Sequence, residues 1–314
     1  MNSSPTIGLG IDAGGTATRW ALASQNGTII CDGEVAGLSA LQMGDEAGRT
    51  ILRNTLSKIA RDARAFATPT QVCAGMTGYD GSSNNRGAAG DAIVGLMAEV
   101  FNLNRHAITL GNDVEIAYLD IFVPGEGYLV YAGTGSIAAF IDKSGAMHRA
   151  GGRGALLDDG GGGYWIAHAA LRHIWRGEDE RPDSWRDSPL AVEMFLLVGG
   201  SDWSVTRDFV YGGKNRGDIG KLALAVAAAA DRDPAALAIL QAAGAELARL
   251  ANAMITRFGL RPIALTGRAI GLHPAIEQTC RAHLPMGSEL KVATGQAHLA
   301  AARIAAKANI GIDH

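Results

Sequence analysis

The sequence predicts an α/β protein of two lobes, and three observations support that prediction. The chain has 314 residues, which is long for one compact core. Its hydrophobic fraction of 47% is enough to fill two cores. Strand-like runs alternate with helical periods, and this order starts twice, each time with a glycine-bearing hairpin. We therefore expect an N-terminal α/β lobe over residues 1–117 and a C-terminal α/β lobe over residues 118–314.

The first half of the chain predicts three strands and then alternating helices and strands. The predicted strands cover residues 7–12, 19–24, 28–34, 71–76 and 107–110, and the predicted helices cover 45–67 and 86–101. Gln25-Asn26-Gly27 has the composition of a hairpin turn between the second and third strands.

The second half predicts a further hairpin and then mostly helices. Its predicted strands cover 127–131, 136–142, 262–265 and 289–292, and its predicted helices 164–175, 187–198, 203–210, 218–230, 234–258, 273–283 and 295–307. Asp233 as N-cap and Pro234 at the first helical position mark one helix start. The alanine-rich helices over 222–250 are expected to pack on one another or across the interface of a homodimer.

Composition excludes several classes of function. The net charge is −3 and no Lys/Arg cluster is present, so neither nucleic acid nor an anionic membrane is an expected partner. The N-terminus lacks the pattern of a signal peptide, and no apolar run approaches the roughly 20 residues of a membrane span. The three cysteines lie far apart, which argues against disulfides, zinc and iron–sulfur clusters. A cytoplasmic setting is expected.

Glycine is the most informative residue type. The chain has 42 glycines, roughly 13% of its residues against a usual value of about 7%. They cluster at 12–16, 133–136, 151–163 and 267–271, each beside a predicted strand or helix. Such clusters indicate tight turns where the backbone approaches a ligand closely.

The first cluster follows a buried strand and reads Asp12-Ala13-Gly14-Gly15-Thr16-Ala17-Thr18. Its glycines would let phosphate oxygens reach backbone N–H groups, and its threonines add hydroxyl donors. Asp12 would bind Mg²⁺ directly or through water. The alternative is an ordinary hairpin whose turn Asp12 caps. No Gly-Lys-Ser/Thr follows, and the next element is a strand, so neither a P-loop nor a dinucleotide fingerprint is present.

A second strand–turn–strand pattern, Tyr131–Ser136, lies about a hundred residues later. Two such hairpins, each opening one half of the chain, are more specific than either alone. Together they would hold a polyphosphate from two sides.

A third pattern, Leu110-Gly111-Asn112-Asp113, ends a predicted strand and precedes a helix. A carboxylate at the carboxyl end of a strand lies where ligands bind in α/β sheets. Asp113 would accept the proton of an attacking hydroxyl in phosphoryl transfer. The alternative is that Asp113 is only the N-cap of the helix.

These motifs resemble the N-acetylglucosamine kinase branch of the BadF/BadG family, and the resemblance runs nearly end to end. The family's first hairpin, Asp-x-Gly-Gly-Thr-x-Thr, is matched by Asp12, Gly14, Gly15, Thr16 and Thr18. Its second, Gly-Thr-Gly-Ser, is matched by Gly133, Thr134, Gly135 and Ser136.

Three further stretches match the same family. Its catalytic Thr/Asn-Asp step corresponds to Asn112-Asp113, and its sugar-side Leu-Ser/Thr-Gly turn to Met76-Thr77-Gly78. Its Gly-Asp-Glu-Gly-Ser-x-Tyr/Phe-Trp-Ile-Gly/Ala stretch corresponds to residues 158–167, where Asp159, Gly161, Tyr164, Trp165 and Ile166 are kept.

The resemblance implies a two-lobed actin-like ATPase (ribonuclease H-like) fold with the active site in the cleft between the lobes. The implied activity is ATP-dependent phosphorylation of the 6-hydroxyl of an amino-hexose, N-acetylglucosamine or glucosamine, with Mg²⁺. Asp113 would be the general base and Asp12 the Mg²⁺ residue. Thr77, Gly78, Asn112, Gly152 and Asp159 would bind the sugar, the two hairpins the phosphates, and Thr266 and Gly267 the adenosine.

The chain departs from the family pattern at five positions. Gly160 replaces a glutamate and Asp158 the glycine before the family's aspartate, so Asp158 is a candidate for the displaced carboxylate. Leu41 replaces an asparagine of the N-acetyl pocket, Arg153 an aromatic residue, and Arg268 a glycine. The two arginines suit either an anionic substrate or exposed, solvated positions.

These departures leave other functions open. One is a non-catalytic sugar-sensing protein on the same fold, and another is a kinase for an N-acetylmuramic acid-type sugar. An activating ATPase for a radical dehydratase would need a pair of cluster-binding cysteines, which the sequence lacks. The zinc-binding Cys/His segment of ROK sugar kinases is likewise missing.

Overall fold

A computed structural model describes residues 5–15, 17–81, 87–213 and 215–308. The chain forms two compact units, Met1–Val123 with Gly295–His314, and Pro124–Thr294. Each unit contains one five-stranded mixed sheet with helices. This architecture confirms the predicted α/β class.

The sheet of the first unit brings three parallel strands side by side. Its strands are β1 (Ile7–Ala13), β2 (Ala17–Ser24), β3 (Ile29–Ala36), β4 (Gln71–Met76) and β5 (Ile108–Gly111), in the order β3-β2-β1-β4-β5. β1 is antiparallel to β2 and parallel to β4, which is parallel to β5. Helices α1 (Glu46–Arg64), α2 (Gly87–Phe101) and α3 (Asp113–Ile121) belong to the same unit.

One face of this sheet forms the core with α1 and α2. Leu9 and Ile11 of β1 are fully buried against apolar residues of both helices, such as Leu56 and Met97. Because side chains alternate along a strand, Gly8, Gly10 and Asp12 lie on the opposite face.

The second unit has a sheet of the same size and most of the helices. Its strands are β6 (Tyr128–Ala132), β7 (Ser136–Ile141), β8 (Met147–Gly151), β9 (Ile263–Thr266) and β10 (Leu290–Val292), in the order β10-β9-β6-β7-β8. Its helices are α4 (Gly163–Glu180), α5 (Pro189–Val198), α6 (Trp203–Tyr211), α7 (Arg216–Gly220), α8 (Ala223–Ala229), α9 (Pro234–Phe258) and α10 (Pro274–Ala282).

Two elements of the second unit differ from the sequence prediction. β8 was not predicted, because Met147-His148-Arg149 lacks apolar alternation; backbone pairing with β7 and the His148–Asp142 contact of 2.8 Å hold this edge strand. The predicted helix 218–230 is two helices, α7 and α8. The Asp233 cap is confirmed, since its carboxylate accepts from the N–H groups of Ala235 and Ala236.

The alanine-rich helices pack within the second unit. α8 packs on α5 and α9, and α9 packs on α10. The predicted homodimer and cytoplasmic setting stay predictions. None of the described helices combines the length and the apolar character needed to cross a bilayer.

The last helix, α11 (Ala297–Lys307), packs on β1 of the first unit. The predicted division at residues 118–314 placed this segment in the C-terminal lobe, so the structure differs there. The physical reason is close approach: a Cβ on Gly8 or Gly10 would overlap the backbone of α11 at Ala306 or Ala302. At the start of α11, the N–H of Gln296 donates to Asp120 of α3 at 2.7 Å.

Gly10→Ala is expected to destabilise the first unit strongly. The added Cβ has no room beside the α11 backbone, so the helix or the strand must move, at a cost of about 1–3 kcal/mol or more. Urea unfolding of the variant measures this loss. Gly44→Ala is the matched control, because nothing lies within 4 Å of its Cβ position; equal stability of the two variants would contradict the close packing of α11.

Candidate functional site

The first unit gathers three predicted residues at one edge of its sheet. Asp12 lies near the carboxyl end of β1, Thr77 follows β4, and Asp113 follows β5. The parallel register aligns these ends, since Asp12 pairs with Gly75 and Gly75 with Gly111. The N–H of Thr77 also donates to the carbonyl of Ala13 at 2.9 Å.

The carboxylate of Asp113 does not cap α3, because Asn112 does so. Asn112 is the N-cap, and its Oδ1 accepts from the N–H of Glu115 at 2.7 Å. Asp113 is the first helical residue; its Oδ1 accepts from the N–H of Val114 at 3.0 Å, and the Thr77 hydroxyl donates to its carboxylate. The capping alternative therefore applies to Asn112 rather than Asp113.

The carboxyl groups of Asp12 and Asp113 both have raised pKa values. Burial raises the pKa of Asp12 from 3.8 to about 6, the Asp113 charge adds to this shift, and Arg19 opposes it. Burial also raises the pKa of Asp113, which the hydrogen bond from Thr77 opposes. Two carboxylates are thus held close together at a place where ionising them is unfavourable.

Arg19 belongs to this group and was missed by sequence reasoning. It is the cross-strand partner of Asp12, and its Nε lies 3.2 Å from Oε2 of Glu34 on β3. The hairpin register would have revealed it, because residues paired across two strands share a face. Thr18 instead pairs with Ala13 and is fully buried on the core face, where its Oγ1 has no partner among the described residues.

The first predicted phosphate turn is joined to the sugar-side turn by the segment after β3. The N–H of Leu38 donates to the carbonyl of Gly14 at 3.1 Å, and the N–H of Ala40 donates to the carbonyl of Thr77 at 2.9 Å. Gly15 is exposed, and Thr16 lies outside the described residues.

Leu41, one of the departures from the family pattern, lies beside the sugar-side turn. Its side chain is 76% exposed, and its Cγ lies 3.0 Å from the position that a Cβ on Gly78 would take. The apolar side chain of Leu41 therefore lies where the resemblance predicts the amide of an asparagine.

The residues around Asp12 fit a magnesium ion that arrives with phosphate. In the part of the chain that the structure describes, no three His, Cys, Asp or Glu side chains form a metal cluster. Mg²⁺ is usually bound by one or two carboxylates, with waters and substrate phosphates completing its shell. The half-buried, mutually repelling carboxyl groups of Asp12 and Asp113 would also be stabilised by a divalent cation.

In the second unit the glycine turn between β6 and β7 is fixed by the start of α4. The N–H of Gly133 donates to the carbonyl of Gly135 at 2.9 Å. The N–H groups of Gly163 and Tyr164 donate to the carbonyls of Gly133 and Thr134 at 2.8 and 2.9 Å. The predicted phosphate turn is therefore held by backbone bonds rather than by its own side chains.

Ser136 ties this turn to the loop that carries Asp159. Its buried hydroxyl donates to the carbonyl of Gly160 at 2.6 Å, and its carbonyl accepts from the N–H of Gly152 at 3.0 Å. The structure thus brings Gly135, Ser136, Gly152 and Asp159 together within one unit. The Ser136 hydroxyl is already used inside the fold.

Asp159 is a buried carboxylate packed against the glycine turn. It is 7% exposed, its Oδ1 accepts from the N–H of Gly154 at 3.2 Å, and its Oδ2 lies 3.4 Å from Nη1 of Arg216. A Cβ on Gly135 would lie 2.6 Å from Oδ2, so only glycine leaves room there. Burial raises the pKa of Asp159, and the Arg216 charge opposes this shift.

The neighbours of Gly160 explain the departure at that position. Asp158 Oδ2 pairs with Nη2 of Arg249 at 2.9 Å, and Arg249 Nε pairs with Glu246 Oε2 at 2.7 Å. The Glu246 carboxylate is the group nearest to Gly160, 2.7 Å from its Cβ position. Sequence reasoning missed Glu246 and Arg249, because a Glu–Arg pair three residues apart on a helix is typical of a solvated surface. It also missed Arg216, which lies in none of the recognised motifs.

The predicted adenosine turn lies beside the glycine turn. Thr266, the last residue of β9, pairs with Tyr131 of β6, and the N–H of Ala269 donates to the carbonyl of Ala132 at 2.9 Å. Gly267 lies between these two positions with a φ of +107°, and Arg268 is exposed.

The model of the BadF/BadG/BcrA/BcrD ATPase family matches residues 9–281. An N-acetyl-D-glucosamine kinase of Dictyostelium discoideum is 30% identical over 190 residues, 56% of each chain. An N-acetylmuramic acid/N-acetylglucosamine kinase of Clostridium acetobutylicum is 25% identical over 177 residues, 55% of each chain. The chain spans about half the length of these curated relatives.

A solved structure shows the same fold over nearly the whole chain. A candidate N-acetylglucosamine kinase from Chromobacterium violaceum superposes with a TM-score of 0.71 at 24% identity, covering 96% of this chain and 99% of its own. This likeness confirms the predicted actin-like ATPase fold.

Asp12→Asn is expected to stabilise the metal-free protein at neutral pH. In the folded chain the pKa of Asp12, about 6, lies above its ordinary value of 3.8. The folded state therefore holds the proton more tightly than the unfolded state, and stability is lost as the pH rises between these values. The variant should gain up to about 2–3 kcal/mol near neutrality and much less at acidic pH.

Urea unfolding with a chelator, at acidic and at neutral pH, measures this gain. Asp32→Asn, which removes an exposed carboxylate from β3 of the same sheet, is the control. A gain for Asp12→Asn that does not grow with pH would contradict the assignment.

Proposed function

The chain belongs to the BadF/BadG/BcrA/BcrD ATPase family, and from that premise we propose that it is an ATP-dependent sugar kinase. Its substrate is an amino-hexose, N-acetylglucosamine or glucosamine, and the acceptor is the 6-hydroxyl. The observation that supports this most is the half-buried carboxylate of Asp113, which no cap requires and which Thr77 and Asp12 accompany. The two curated relatives, both kinases of amino sugars, support the substrate class.

Asp113 is the proposed general base toward the sugar hydroxyl. Burial raises its pKa, which makes the carboxylate a stronger proton acceptor. The Thr77 hydroxyl orients its carboxylate, and the fixed start of α3 holds its backbone. Thr77, Gly78 and Asn112 would bind the sugar on this side.

Asp12 is the proposed residue for Mg²⁺, which would be bound together with water and phosphate oxygens. The ion would supply charge neutralisation for phosphoryl transfer, which depends on positioning and electrostatics more than on covalent help. The N–H of Gly15 and the hydroxyl of Thr16 would bind phosphate oxygens, while Gly14 closes the turn, since its N–H donates to the carbonyl of Ala17 at 3.2 Å. Thr18 would not contact phosphate itself, because its side chain faces the core and the residue pairs with Ala13 and Val35 in the sheet.

The second unit would bind the nucleotide and the other side of the sugar. The N–H groups of Thr134 and Gly135, with the Thr134 hydroxyl, are the proposed phosphate donors, while Gly133 shapes the turn because its N–H donates to the carbonyl of Gly135. Thr266 and Gly267 would contact the adenosine beside them. Gly152 and Asp159 would bind the sugar, with the carboxylate accepting hydroxyl protons in hydrogen bonds.

One observation favours a related substrate, an N-acetylmuramic acid-type sugar. Leu41 presents an apolar side chain at the turn of Gly78, where the resemblance predicts an asparagine. A lactyl substituent offers a methyl group to such a surface. The relative from Clostridium acetobutylicum acts on both sugar types, as its name states.

An amino-hexose is expected to stimulate ATP turnover well above the rate without sugar. A coupled assay of ADP release, run with glucosamine, N-acetylglucosamine, N-acetylmannosamine, N-acetylmuramic acid, glucose and buffer alone, measures this. Stimulation by N-acetylmuramic acid alone would assign the related substrate. No stimulation by any sugar, with one of them binding by calorimetry, would replace the kinase with a sugar-sensing protein.

Asp113→Asn is expected to reduce turnover at least about a hundredfold without loss of stability or of ligand binding. The amide keeps the size of the side chain and removes the proton acceptor. Asn112→Ala is the opposite control, since it removes the cap and should cost about 1 kcal/mol of stability. Near-normal turnover of Asp113→Asn would remove this residue from the role of base.

A further inference from the structure

Arg216 lies against the glycine turn of the second unit. Its Nη1 is 3.4 Å from Oδ2 of Asp159, and that oxygen is 2.6 Å from the Cβ position of Gly135. The helix that begins with Arg216 ends on the same turn, because the Cβ position of Gly220 is 3.6 Å from Cγ2 of Thr134. α7 therefore runs along the turn and places a guanidinium at one end of it.

The turn itself has no cationic side chain, since residues 131–136 read Tyr-Ala-Gly-Thr-Gly-Ser. Backbone N–H groups bind phosphate oxygens but supply only partial positive charge. A guanidinium carries a full charge and donates two parallel N–H bonds, a geometry that matches two oxygens of one phosphate. Arg216 therefore places a cationic side chain beside a turn that has none of its own.

The side chain of Arg216 is exposed and makes only a weak ion pair. Its side chain is 60% exposed, and among the described residues its one ion-pair partner is Asp159, at 3.4 Å. That distance is longer than the roughly 2.7–2.9 Å of a strong charge-assisted bond. Arg249 of the same unit differs, because it contacts two carboxylates at 2.7 and 2.9 Å. Arg216 is therefore the arginine that can change partner at low cost.

We propose that Arg216 leaves Asp159 and binds the terminal phosphate of ATP when the nucleotide enters. This inference rests on the proposed ATP-dependent function. The exchange has a second effect, because it frees the carboxylate of Asp159 to accept hydrogen bonds from sugar hydroxyls. Nucleotide binding thus prepares the sugar-binding carboxylate.

Arg216→Met is expected to weaken binding of the β,γ-imido analogue of ATP roughly tenfold or more and to leave adenosine binding unchanged. Calorimetry with the two ligands measures both affinities on the full chain. Arg207→Met is the matched control: Arg207 lies on α6, is 56% exposed and pairs with Asp208 at 3.0 Å. It should change neither affinity. Arg216→Lys keeps the charge and loses the planar fork, so it should bind the analogue with intermediate affinity and serves if the Met variant does not fold.

Asp159→Asn tests whether Arg216 must leave Asp159 before it binds phosphate, or is simply attracted to the phosphate charge. Without a carboxylate to leave, Arg216 should bind the imido analogue more tightly than in the natural chain. Adding Arg216→Met to Asp159→Asn should abolish this gain. Unchanged or weaker binding by Asp159→Asn would overturn the exchange.

The remaining outcomes distinguish this proposal from the kinase function. Equal affinity of Arg216→Met and the natural chain for the imido analogue would overturn the role of Arg216, while sugar-stimulated turnover would still support the kinase. If Arg216→Met loses binding to N-acetylmuramic acid but keeps binding to the imido analogue, Arg216 would be assigned to a sugar carboxylate and its phosphate role would be overturned. A natural chain that neither binds nucleotide nor turns over any sugar would overturn both proposals.

Discussion

The first unit depends on keeping two carboxyl groups, Asp12 and Asp113, at one partly dry edge of a parallel sheet. The register of β1, β4 and β5 places their strand ends side by side, and burial raises both pKa values. This arrangement opposes folding, because ionised groups lose hydration there. The surrounding structure compensates with the Thr77 hydroxyl, the Asn112 cap and the cross-strand charge of Arg19. The carboxylates of Asp12 and Asp113 therefore lower the stability of the unit at the place where the proposed chemistry needs their charge.

The second unit follows a different principle, since its predicted ligand turn is shaped by backbone rather than by side-chain charge. The start of α4 fixes the carbonyls of Gly133 and Thr134, and Ser136 holds the following loop through Gly160. The result is a rigid glycine turn with one buried carboxylate, Asp159, packed against it. Rigidity of this kind lets N–H groups be oriented before a ligand binds, so less entropy is lost on binding.

The sequence was sufficient for the fold class and most elements, because strand periodicity and turn residues are local signals. It failed where the signal is tertiary. β8 lacks alternation, and α11 gives no sign in its own residues that it packs on Gly8 and Gly10. Arg216, Arg249 and Glu246 read as solvated charges until the loop of Asp158 and Asp159 is placed beside them. Thr18 matched a motif, yet strand alternation turns its side chain toward the core.

The packing of α11 on β1 has a consequence for biosynthesis. The ribosome makes β1 before the second unit and α11 after it. Until α11 emerges, the part of the sheet face that carries Gly8, Gly10, Ala21 and Ala23 lacks the helix that buries it, and its apolar surface is open to contact with other chains. The second unit is one continuous segment, whereas the first unit is completed only after the second has been synthesised. A chain that stops before Ala297 would therefore need a chaperone more than a chain that includes α11.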